Sequence, residues 1–573
     1  MIAAIACVFL GRNPAPCFRR ASICAPEKWQ PIYNRSKLLS EDEKDTVLRR
    51  ALSIAPTQRE ILESLAASVF GRDRLTSEGS VLDQRLLAVD PASANAWSRI
   101  GNRTSKSGAP EKALAIVSRL AALPGDLRTP WKRISACLPP GFDSIEQRDR
   151  ITGTLKSALT ELQDAPLLPD PQSEVGVRRL FYLAYAGIED KEFMQRFGDA
   201  TIRQVSSGAF HARTGGRPSK LRGPCRVAIV SGCVGEHSVW EAIGRWWSEA
   251  LRDAGIAATL YDLNGAAREQ DRACFDTVVS GPKPWSEWLE IIHASGHQVL
   301  LYPEIGIDPA ALFLANHRLA PIQVNSWGHP VTSGLSTIDY FVGSEFLDPP
   351  GAEGQYSETL FRMPGLGAEL SEPRSAPRLK IPSGRPTAII CQSLFKFLPD
   401  FDETLRRIVE TADDCRIIVV KAGDDITVQR YISRLFSHFA KHGHDPEQVF
   451  DLRERTRPEE YASLLQEADL YLDSPTFSGF NSVLHAANAG VPVLTTDARC
   501  LRARLAAAVL TALGLETDLV PQPSDYAERA AKLLGDRRRS LELGETAREN
   551  LSTVWRNQNM RAPFAEFMTT VLR

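Results

Sequence analysis

The stretch Asp473–Leu494, DSPTFSGFNSVLHAANAGVPVL, joins two apolar segments through a short polar turn that contains Gly479. The preceding residues, ADLYLD, have the pattern of a buried strand, and NSVLHAANAG has that of a helix whose first residues are Asn481 and Ser482. The first N–H groups of a helix lack partners within the helix, and the helix dipole there attracts anions. The stretch therefore predicts a strand, a turn and a helix start that together can hold a phosphate group.

The same alternation of strand and helix extends over the chain from Cys225 onward. CRVAIVSG, AATLYDL, HQVLLYPEIG and IDYFVGSE are short apolar strands, and SVWEAIGRWWSEALRDAG is an amphipathic helix that ends at Gly255. A second series runs from PTAIICQS through RIIVVKAG and ADLYLDSP to VPVLTTD. Such alternation predicts parallel sheets covered by helices. We predict two Rossmann-like domains, 225–380 and 381–573, with a ligand cleft at the carboxyl ends of their strands.

The N-terminal part of the chain is helical and repetitive. AWSRIG returns as PWKRIS, so that Trp97 and Trp131 lie 34 residues apart, which is the tetratricopeptide period. Pro56, Pro91 and Pro124, which follow predicted helices, are separated by 35 and 33 residues. The pattern predicts a tetratricopeptide-like region at 46–213, after a poorly defined leader at 1–45 and before a linker at 214–224. Such a region is either a concave surface for a polypeptide partner or a scaffold for its neighbours.

Composition excludes several classes of protein. The 573 residues include 68 Lys and Arg against 70 Asp and Glu, a net charge of −2, which leaves no basic field to attract nucleic acid. No apolar run approaches the roughly 18 residues of a membrane span. Ten cysteines without a CxxC pair favour reduced thiols in a cytoplasmic protein. The histidines show no spacing suited to zinc, so the sequence predicts no metal site.

Four segments resemble a known family. APIQVNSWGHPVTSGLSTIDYFVG, QYSETLFRMPG, CQSLFKFLPD and ADLYLDSPTFSGFNSVLHAANAGVPVLTT are similar, in order and spacing, to the catalytic region of glycosyltransferase family 41. This family includes SPINDLY-like protein O-GlcNAc transferases and the bacterial cytosolic glucosyltransferases that modify adhesins. The resemblance covers roughly Arg178 to the C-terminus. It implies an α/β GT-B fold, with two Rossmann-like domains facing a cleft, preceded by tetratricopeptide-like repeats, and transfer without a metal or other cofactor.

The resemblance also implies roles for residues of the second Rossmann-like domain. Gln392 and Lys396 match the family's Gln and Lys, which implies that Lys396 pairs with the donor diphosphate. A cation at that place would stabilise the negative charge that the leaving group gains. The family's HTT or NTN triplet is replaced here by Phe480, Asn481 and Ser482, which fall where the family places donors against the same phosphates.

Three further residues concern the nucleotide. Where the family has the Asp that holds the ribose hydroxyls, this sequence has His485, which lacks the bidentate acceptor of a carboxylate. This departure bears on both the strength of nucleotide binding and the nucleotide's identity. Tyr461 lies near the family's nucleobase contacts and either stacks on uracil or packs within its own helix. Arg504 coincides with a family Arg and is either a phosphate neighbour or a surface residue.

Two histidines match residues on the acceptor side of the family's cleft. His237, at the head of a helix, can act as a general base or can orient the sugar or the acceptor without taking a proton. His329 matches the bacterial members' GHP motif and either lines the cleft or is a core histidine.

These features predict a protein glycosyltransferase that moves one sugar, GlcNAc from UDP-GlcNAc, onto Ser or Thr of a protein bound by the repeats. GHP and LYPEIGID favour instead a UDP-glucose-dependent Asn glucosyltransferase, and part of the SPINDLY-like group transfers fucose from GDP-fucose. A protein-binding module with a decayed transferase domain is the alternative from another class. His485 favours that alternative, whereas His237, Gln392, Lys396 and the Gly479 turn oppose it.

Overall fold

The computed structural model describes residues 17, 28–37, 39, 41–72, 76–121, 129–175, 180–214, 218, 226–370, 384–555 and 558–572. The chain divides into two compact units, Met1–Pro139 and Pro140–Arg573. Among the helices of these residues, none is both long enough and apolar enough to cross a lipid bilayer.

The first unit is a series of helices in which each packs on its neighbours in sequence, as in helical repeat proteins. Ser93 caps one of these helices by accepting a hydrogen bond from Ala96 N–H, and Trp131 is fully buried. Ile32 is buried in a core with Leu48 and Leu62, so helical structure begins inside the predicted leader. Pro124 lies outside the described residues. The helices are α1 Trp29–Ser36, α2 Glu41–Ile54, α3 Arg59–Arg72, α4 Ser77–Val89, α5 Ala94–Lys106, α6 Pro110–Ala121 and α7 Thr129–Ala136.

The predicted helical region 46–213 is divided by the unit boundary after Pro139. Its last helices, α8 Ile145–Gln163, α9 Lys191–Ser206 and α10 Ala209–Thr214, belong to the second unit. The buried Arg502 fixes the start of α9 there, because its guanidinium pairs with Asp190 and donates to Ile188 O at 2.6 Å. Of the predicted linker, only 214 and 218 are described.

Seven strands of the second unit form a parallel sheet in the order β3-β2-β1-β4-β5-β6-β7. The order reverses between β1 and β4, and the crevice at the carboxyl ends of strands beside such a reversal is where open α/β sheets bind ligands. Sequence reasoning missed β3, β5 and β7. The strands are β1 Val227–Ser231, β2 Ala258–Asp262, β3 Thr277–Ser280, β4 Val299–Tyr302, β5 Ile322–Ser326, β6 Tyr340–Ser344 and β7 Thr359–Met363.

A second parallel sheet has the order β10-β9-β8-β11-β12, with its own reversal between β8 and β11. The two sheets confirm the predicted pair of Rossmann-like domains. The edge strand β10, with only four residues and mixed polarity, was also missed. The strands are β8 Thr387–Ile390, β9 Arg416–Val420, β10 Phe450–Arg453, β11 Leu470–Leu472 and β12 Val493–Leu494.

Helices cover both sheets. The helix predicted to end at Gly255 begins with a π-helical turn, Trp240–Gly244, in which the Trp240 ring occupies the space where a side chain at Gly244 would lie. The α-helices are α11 Arg245–Asp253, α12 Glu269–Arg272, α13 Trp285–Ser295, α14 Pro309–Ala315, α15 Pro399–Thr411, α16 Asp425–Lys441, α17 Pro446–Val449, α18 Pro458–Leu465, α19 Asn481–Asn488, α20 Leu501–Ala512, α21 Glu516–Leu519, α22 Tyr526–Gly535, α23 Arg537–Asn550 and α24 Arg561–Val571. Short 3-10 helices lie at Pro171–Ser173, Phe181–Tyr185, Ala352–Gln355, Leu394–Lys396, Pro523–Asp525 and Leu551–Thr553.

The last helix, α24, returns to the first Rossmann-like domain. Phe564 is fully buried there and stacks on Trp247, with ring centroids 5.3 Å apart. Arg561 pairs with Glu369 at 2.7 Å. By packing, α24 therefore belongs to the first domain rather than to the predicted 381–573 domain.

We expect Phe564→Ala to lower the free energy of unfolding by about 3–5 kcal/mol, because it removes a fully buried ring. Phe564→Leu keeps most of the apolar volume and should cost far less. Urea unfolding followed by tryptophan fluorescence measures both. An unchanged urea midpoint in the alanine variant would show that α24 does not stabilise this domain.

Candidate functional site

A pocket lies in the second unit between the two Rossmann-like domains, at the carboxyl ends of their strands. Its volume is about 260 Å³, slightly below the roughly 300–1,000 Å³ common for ligand sites. Both domains contribute walls to it, as predicted for a GT-B cleft. The lining residues are Ser238, Val239, Ala242, Ile243, Trp327, Gly328 and Pro330 from the first domain, and Lys396, Phe477, Ser478, Gly479, Phe480, Asn481, Ser482 and Leu505 from the second.

The carboxylate of Asp473, directly after β11, organises the second domain's wall. Its Oδ1 accepts hydrogen bonds from Gln392 Nε2 at 2.7 Å and from Gly479 N–H at 2.8 Å. Its Oδ2 accepts from Ser478 Oγ at 2.6 Å and from Thr495 Oγ1 at 2.7 Å. Asp473 is fully buried, and burial raises the pKa of its carboxyl. These four donors connect the loops after β8, β11 and β12 through one side chain.

Gly479 occupies a place that has no room for a side chain. A Cβ atom built there would collide with Ser482 Oγ and Gln392 Nε2. The Gln392 side chain is held on both sides of its amide, because its Oε1 also accepts from Ser474 N–H at 3.1 Å. A side chain at this position would therefore have to displace the Ser482 hydroxyl and the Gln392 amide, which is held by Asp473 and Ser474.

The start of α19 faces the pocket. Phe480 precedes the helix and has no polar side-chain atom that could cap the first N–H groups, and Asn481 is exposed. The edge of the Phe480 ring packs on Trp327 of the first domain, with centroids 5.1 Å apart. The helix start predicted at Asn481 and Ser482 is confirmed, and its N–H groups and dipole suit an anion in the pocket.

Lys396 ends the 3-10 turn that follows β8 and lines the same pocket. Its Nζ lies 3.4 Å from Ser478 O and 4.5 Å from the centroid of the Phe477 ring. Burial lowers the pKa of Lys396 to about 8, and the negative charge of Asp473 opposes this shift. The group is still mainly a cation at neutral pH, and it is held close to the helix start.

An aromatic stack supports Phe477 from behind. The Tyr185 ring stacks on Phe477 with centroids 4.3 Å apart, and Phe395 meets Tyr185 edge-on at 4.8 Å. The 3-10 turn Phe181–Tyr185 thereby packs against the loop that carries Lys396. Sequence analysis missed these residues because aromatic side chains in loops give no periodic signal.

The other predicted nucleotide residues lie beside this pocket rather than in its wall. Tyr461 on α18 contacts Cys391 through its hydroxyl, 3.1 Å from Sγ, and meets the His485 ring edge-on at 5.8 Å. Arg504 is held by Asp497 at 2.6 Å and by Ala498 O at 2.8 Å. Tyr461 and His485 are thus adjacent, whereas Arg504, on α20, contacts the loop that directly precedes this helix.

The two predicted acceptor-side histidines differ in exposure. His237 is exposed next to the pocket residue Ser238, and its Nδ1 accepts a hydrogen bond from Val239 N–H at 3.2 Å. Partial burial lowers the pKa of His237, which favours the neutral ring with its proton on Nε2. His329 is only 3% exposed and stacks on Phe181, so it lies behind the wall formed by its neighbours Gly328 and Pro330.

A buried carboxyl holds the loop that leads to His237. Glu304 Oε1 accepts from Ser231 Oγ and from Gly232 N–H, both at 2.9 Å, across the β1 and β4 strand ends. Burial raises the pKa of Glu304 to about 8, against the opposing effect of the Ser231 hydrogen bond. Glu304 was not identified from the sequence, since one acidic residue after a strand has no distinctive spacing.

No protein-family model matches the sequence. A UDP-glucose:protein N-beta-glucosyltransferase of Actinobacillus pleuropneumoniae is 26% identical over 275 residues, which are 45% of this chain and 42% of that protein. A probable UDP-N-acetylglucosamine–peptide N-acetylglucosaminyltransferase SPINDLY of Solanum lycopersicum is 27% identical over 225 residues, which are 38% of this chain and 24% of that one. The matches thus span less than half of either relative.

A solved lysine-to-methionine variant of the Thermobaculum terrenum O-GlcNAc transferase superposes with a TM-score of 0.65 at 20% identity, covering 97% of this chain and 96% of that chain. The shared fold includes the helical region as well as both Rossmann-like domains. These similarities support the resemblance to the protein glycosyltransferases of family 41. The predicted helix start and Lys396 line one pocket, and Gln392 lies outside the lining, where it bonds to Asp473. His237, His329 and Arg504 also lie outside the lining.

We expect Gly479→Ala to weaken binding of a nucleoside diphosphate by roughly tenfold or more, equivalent to about 1.4 kcal/mol. The added Cβ has to displace Gln392 from Asp473 and thereby reshape the turn. Isothermal titration calorimetry with UDP and GDP measures the effect. Gly153→Ala, a helix position where a Cβ meets nothing within 4 Å, is the control and should bind normally. Equal binding by both variants would mean that the turn does not contact the phosphates.

Proposed function

We propose that this chain is a protein glycosyltransferase that transfers a single GlcNAc from UDP-GlcNAc to a Ser or Thr hydroxyl of a protein. The observation that carries this proposal is the convergence of a cation, Lys396, and the start of α19 on one pocket between two Rossmann-like domains. The names of the similar proteins support a UDP-linked sugar as donor and a protein as acceptor.

In the reaction, the acceptor oxygen attacks the anomeric carbon of the sugar, and the bond between that carbon and the diphosphate oxygen breaks. UDP leaves with the bonding electron pair, and the hydroxyl proton passes to a base or to solvent. The departing diphosphate gains negative charge, which Lys396 and the N–H groups at the start of α19 stabilise. These groups belong to the protein, so the leaving group needs no bound cation.

His237 is proposed to orient the sugar or the acceptor. Its Nδ1 accepts a hydrogen bond from Val239 N–H, so the neutral ring carries its proton on Nε2 as a hydrogen-bond donor. A ring in this state donates a hydrogen bond but has no free lone pair with which to take the acceptor's proton. The role of orienting group, rather than general base, fits this arrangement.

We further propose that the helical repeats of the first unit bind the acceptor polypeptide, because stacked helix pairs form extended surfaces of this kind. We also propose that the protein is located in the cytoplasm. Cys233, Cys391 and Cys415 are buried thiols in the structure, as expected in a reducing compartment.

Transfer of glucose from UDP-glucose to Asn is the second candidate. It is favoured by the activity named for the Actinobacillus pleuropneumoniae relative, whose match extends over 275 residues, more than the 225 residues matched by the tomato protein. Lys396 and the helix start do not distinguish UDP-GlcNAc from UDP-glucose, because they are placed to bind the diphosphate that both donors contain.

The proposal is tested by measuring nucleoside diphosphate release from UDP-GlcNAc, UDP-glucose and GDP-fucose in turn. We expect release from UDP-GlcNAc and a fall of about 10²–10³-fold in kcat for Lys396→Met, since one charge-stabilising group is lost. Lys421→Met is the matched control. Lys421 directly follows the neighbouring strand β9, pairs with Glu454 and lies outside the pocket lining. No release from any donor, with no thermal stabilisation by UDP or GDP, would instead support a decayed transferase domain.

A pH dependence follows from Lys396. The diphosphate binds its ammonium form, and burial lowers the pKa of this group to about 8. Binding therefore requires proton uptake above that pH, and UDP affinity should fall there by up to about tenfold per pH unit. We expect little change from this group below about pH 7, and no such slope in Lys396→Met. Calorimetry at several pH values measures it, and a parallel slope in the variant would exclude Lys396 as the source.

A further inference from the structure

Two histidines and a glutamate meet at the ends of α15 and α16, outside the lining of the donor pocket. His438 and His442 are four residues apart at the end of α16 and therefore lie on the same side of the helix. Glu403 comes from α15, which packs on α16. The sequence alone predicted no metal site, and the structure brings these three possible ligands together. The third ligand comes from a distant part of the sequence, so the spacing alone concealed the cluster.

The three side chains are close enough to share one ion. One ligand atom from each lies within 4.8 Å of the others. His438 Nε2 is 3.3 Å from Glu403 Oε2. In a tetrahedral zinc site with bonds of about 2.0–2.2 Å, neighbouring ligand atoms are roughly 3.3–3.5 Å apart. The pair already has that separation, and the exposed ring of His442 has only a short distance to move.

The hydrogen bonds of the histidines leave the required nitrogens available. His442 Nδ1 lies 2.8 Å from His438 O and donates its proton to that carbonyl, so the lone pair of the neutral ring is on Nε2. Metal-binding histidines commonly have this arrangement, in which the other ring nitrogen donates to a carbonyl. His438 Nε2 is a buried atom for which the described residues provide no partner with hydrogen-bond geometry.

Arg406 competes for Glu403 but does not block the site. Its guanidinium contacts Glu403 Oε1 at 2.5 Å and Oε2 at 2.9 Å, and it also binds Glu410. An ion on Oε2 has to displace only the Arg406 Nε–H contact at 2.9 Å, and a ligating carboxylate commonly keeps a hydrogen bond on its other oxygen. Since Glu403 is 44% exposed, its ion pair with Arg406 is worth little and can rearrange.

We propose that His438, His442 and Glu403 form a binding site for Zn²⁺ or a similar divalent transition-metal ion, with water as the fourth ligand. Imidazole nitrogens favour zinc, copper, nickel or cobalt over magnesium and calcium, which prefer oxygen ligands. The ion would connect the end of α16 to α15. Because α15 begins directly after the loop that carries Lys396, such an ion would stabilise the second domain without entering its pocket.

The test is titration of the full chain, freed of metal with a chelator, with Zn²⁺ by calorimetry and with Co²⁺ by visible absorption. We expect one ion per chain, a tetrahedral cobalt spectrum typical of nitrogen and oxygen ligands, and a Tm that rises with Zn²⁺ and falls back with chelator. His442→Ala, at an exposed residue, and Glu403→Gln should each weaken Zn²⁺ binding by at least about tenfold.

His444→Ala is the matched control, because His444 lies two residues beyond the cluster and pairs with Glu410 at 3.0 Å. It should bind Zn²⁺ as the wild type does. The proposal is overturned if Zn²⁺ does not bind, if His442→Ala binds it as tightly as His444→Ala, or if the cobalt spectrum shows thiolate ligands. Nucleoside diphosphate release is expected to proceed in the presence of chelator, so this result is independent of the proposed transferase activity.

Discussion

The buried carboxylate of Asp473 is the group on which the proposed donor site depends. It accepts four hydrogen bonds from residues after three different strands: Ser478 and Gly479 in the turn before α19, Gln392 after β8 and Thr495 after β12. A buried charge is tolerated only when such donors satisfy it, so the loops are fixed relative to one another by the cost of leaving Asp473 unpaired. Burial lowers the pKa of Lys396, and the negative charge of Asp473 opposes this shift.

The first Rossmann-like domain uses a related arrangement. Glu304, after β4, binds the loop after β1, as Asp473 after β11 binds Gln392 after β8. In both sheets these strands are the neighbours at which strand order reverses. In each sheet, therefore, a carboxyl group connects the loops that follow the two strands at the reversal. The pocket lies between these ends of the two sheets. Phe480 and Trp327 join the domains across it.

Local patterns predicted the fold well, because buried parallel strands and amphipathic helices have strong periodicity. The helix start at Asn481 followed from the same signal, and the resemblance supplied Lys396. Contacts between distant segments could not be predicted. Tyr185 behind Phe477, Glu304 behind the β1 loop and the return of α24 to the first domain all depend on tertiary packing. The sequence left open whether His329 lines the cleft or is a core histidine, and its burial in the structure favours the second reading.

The central claim is that Lys396 and the start of α19 bind the donor diphosphate. A crystal structure of the chain with UDP tests it most directly. The account predicts phosphate oxygens within hydrogen-bond distance of Lys396 Nζ and of the N–H groups at Asn481 and Ser482, with the turn at Gly479 unchanged. UDP bound elsewhere, or with its phosphates directed away from both groups, would contradict it.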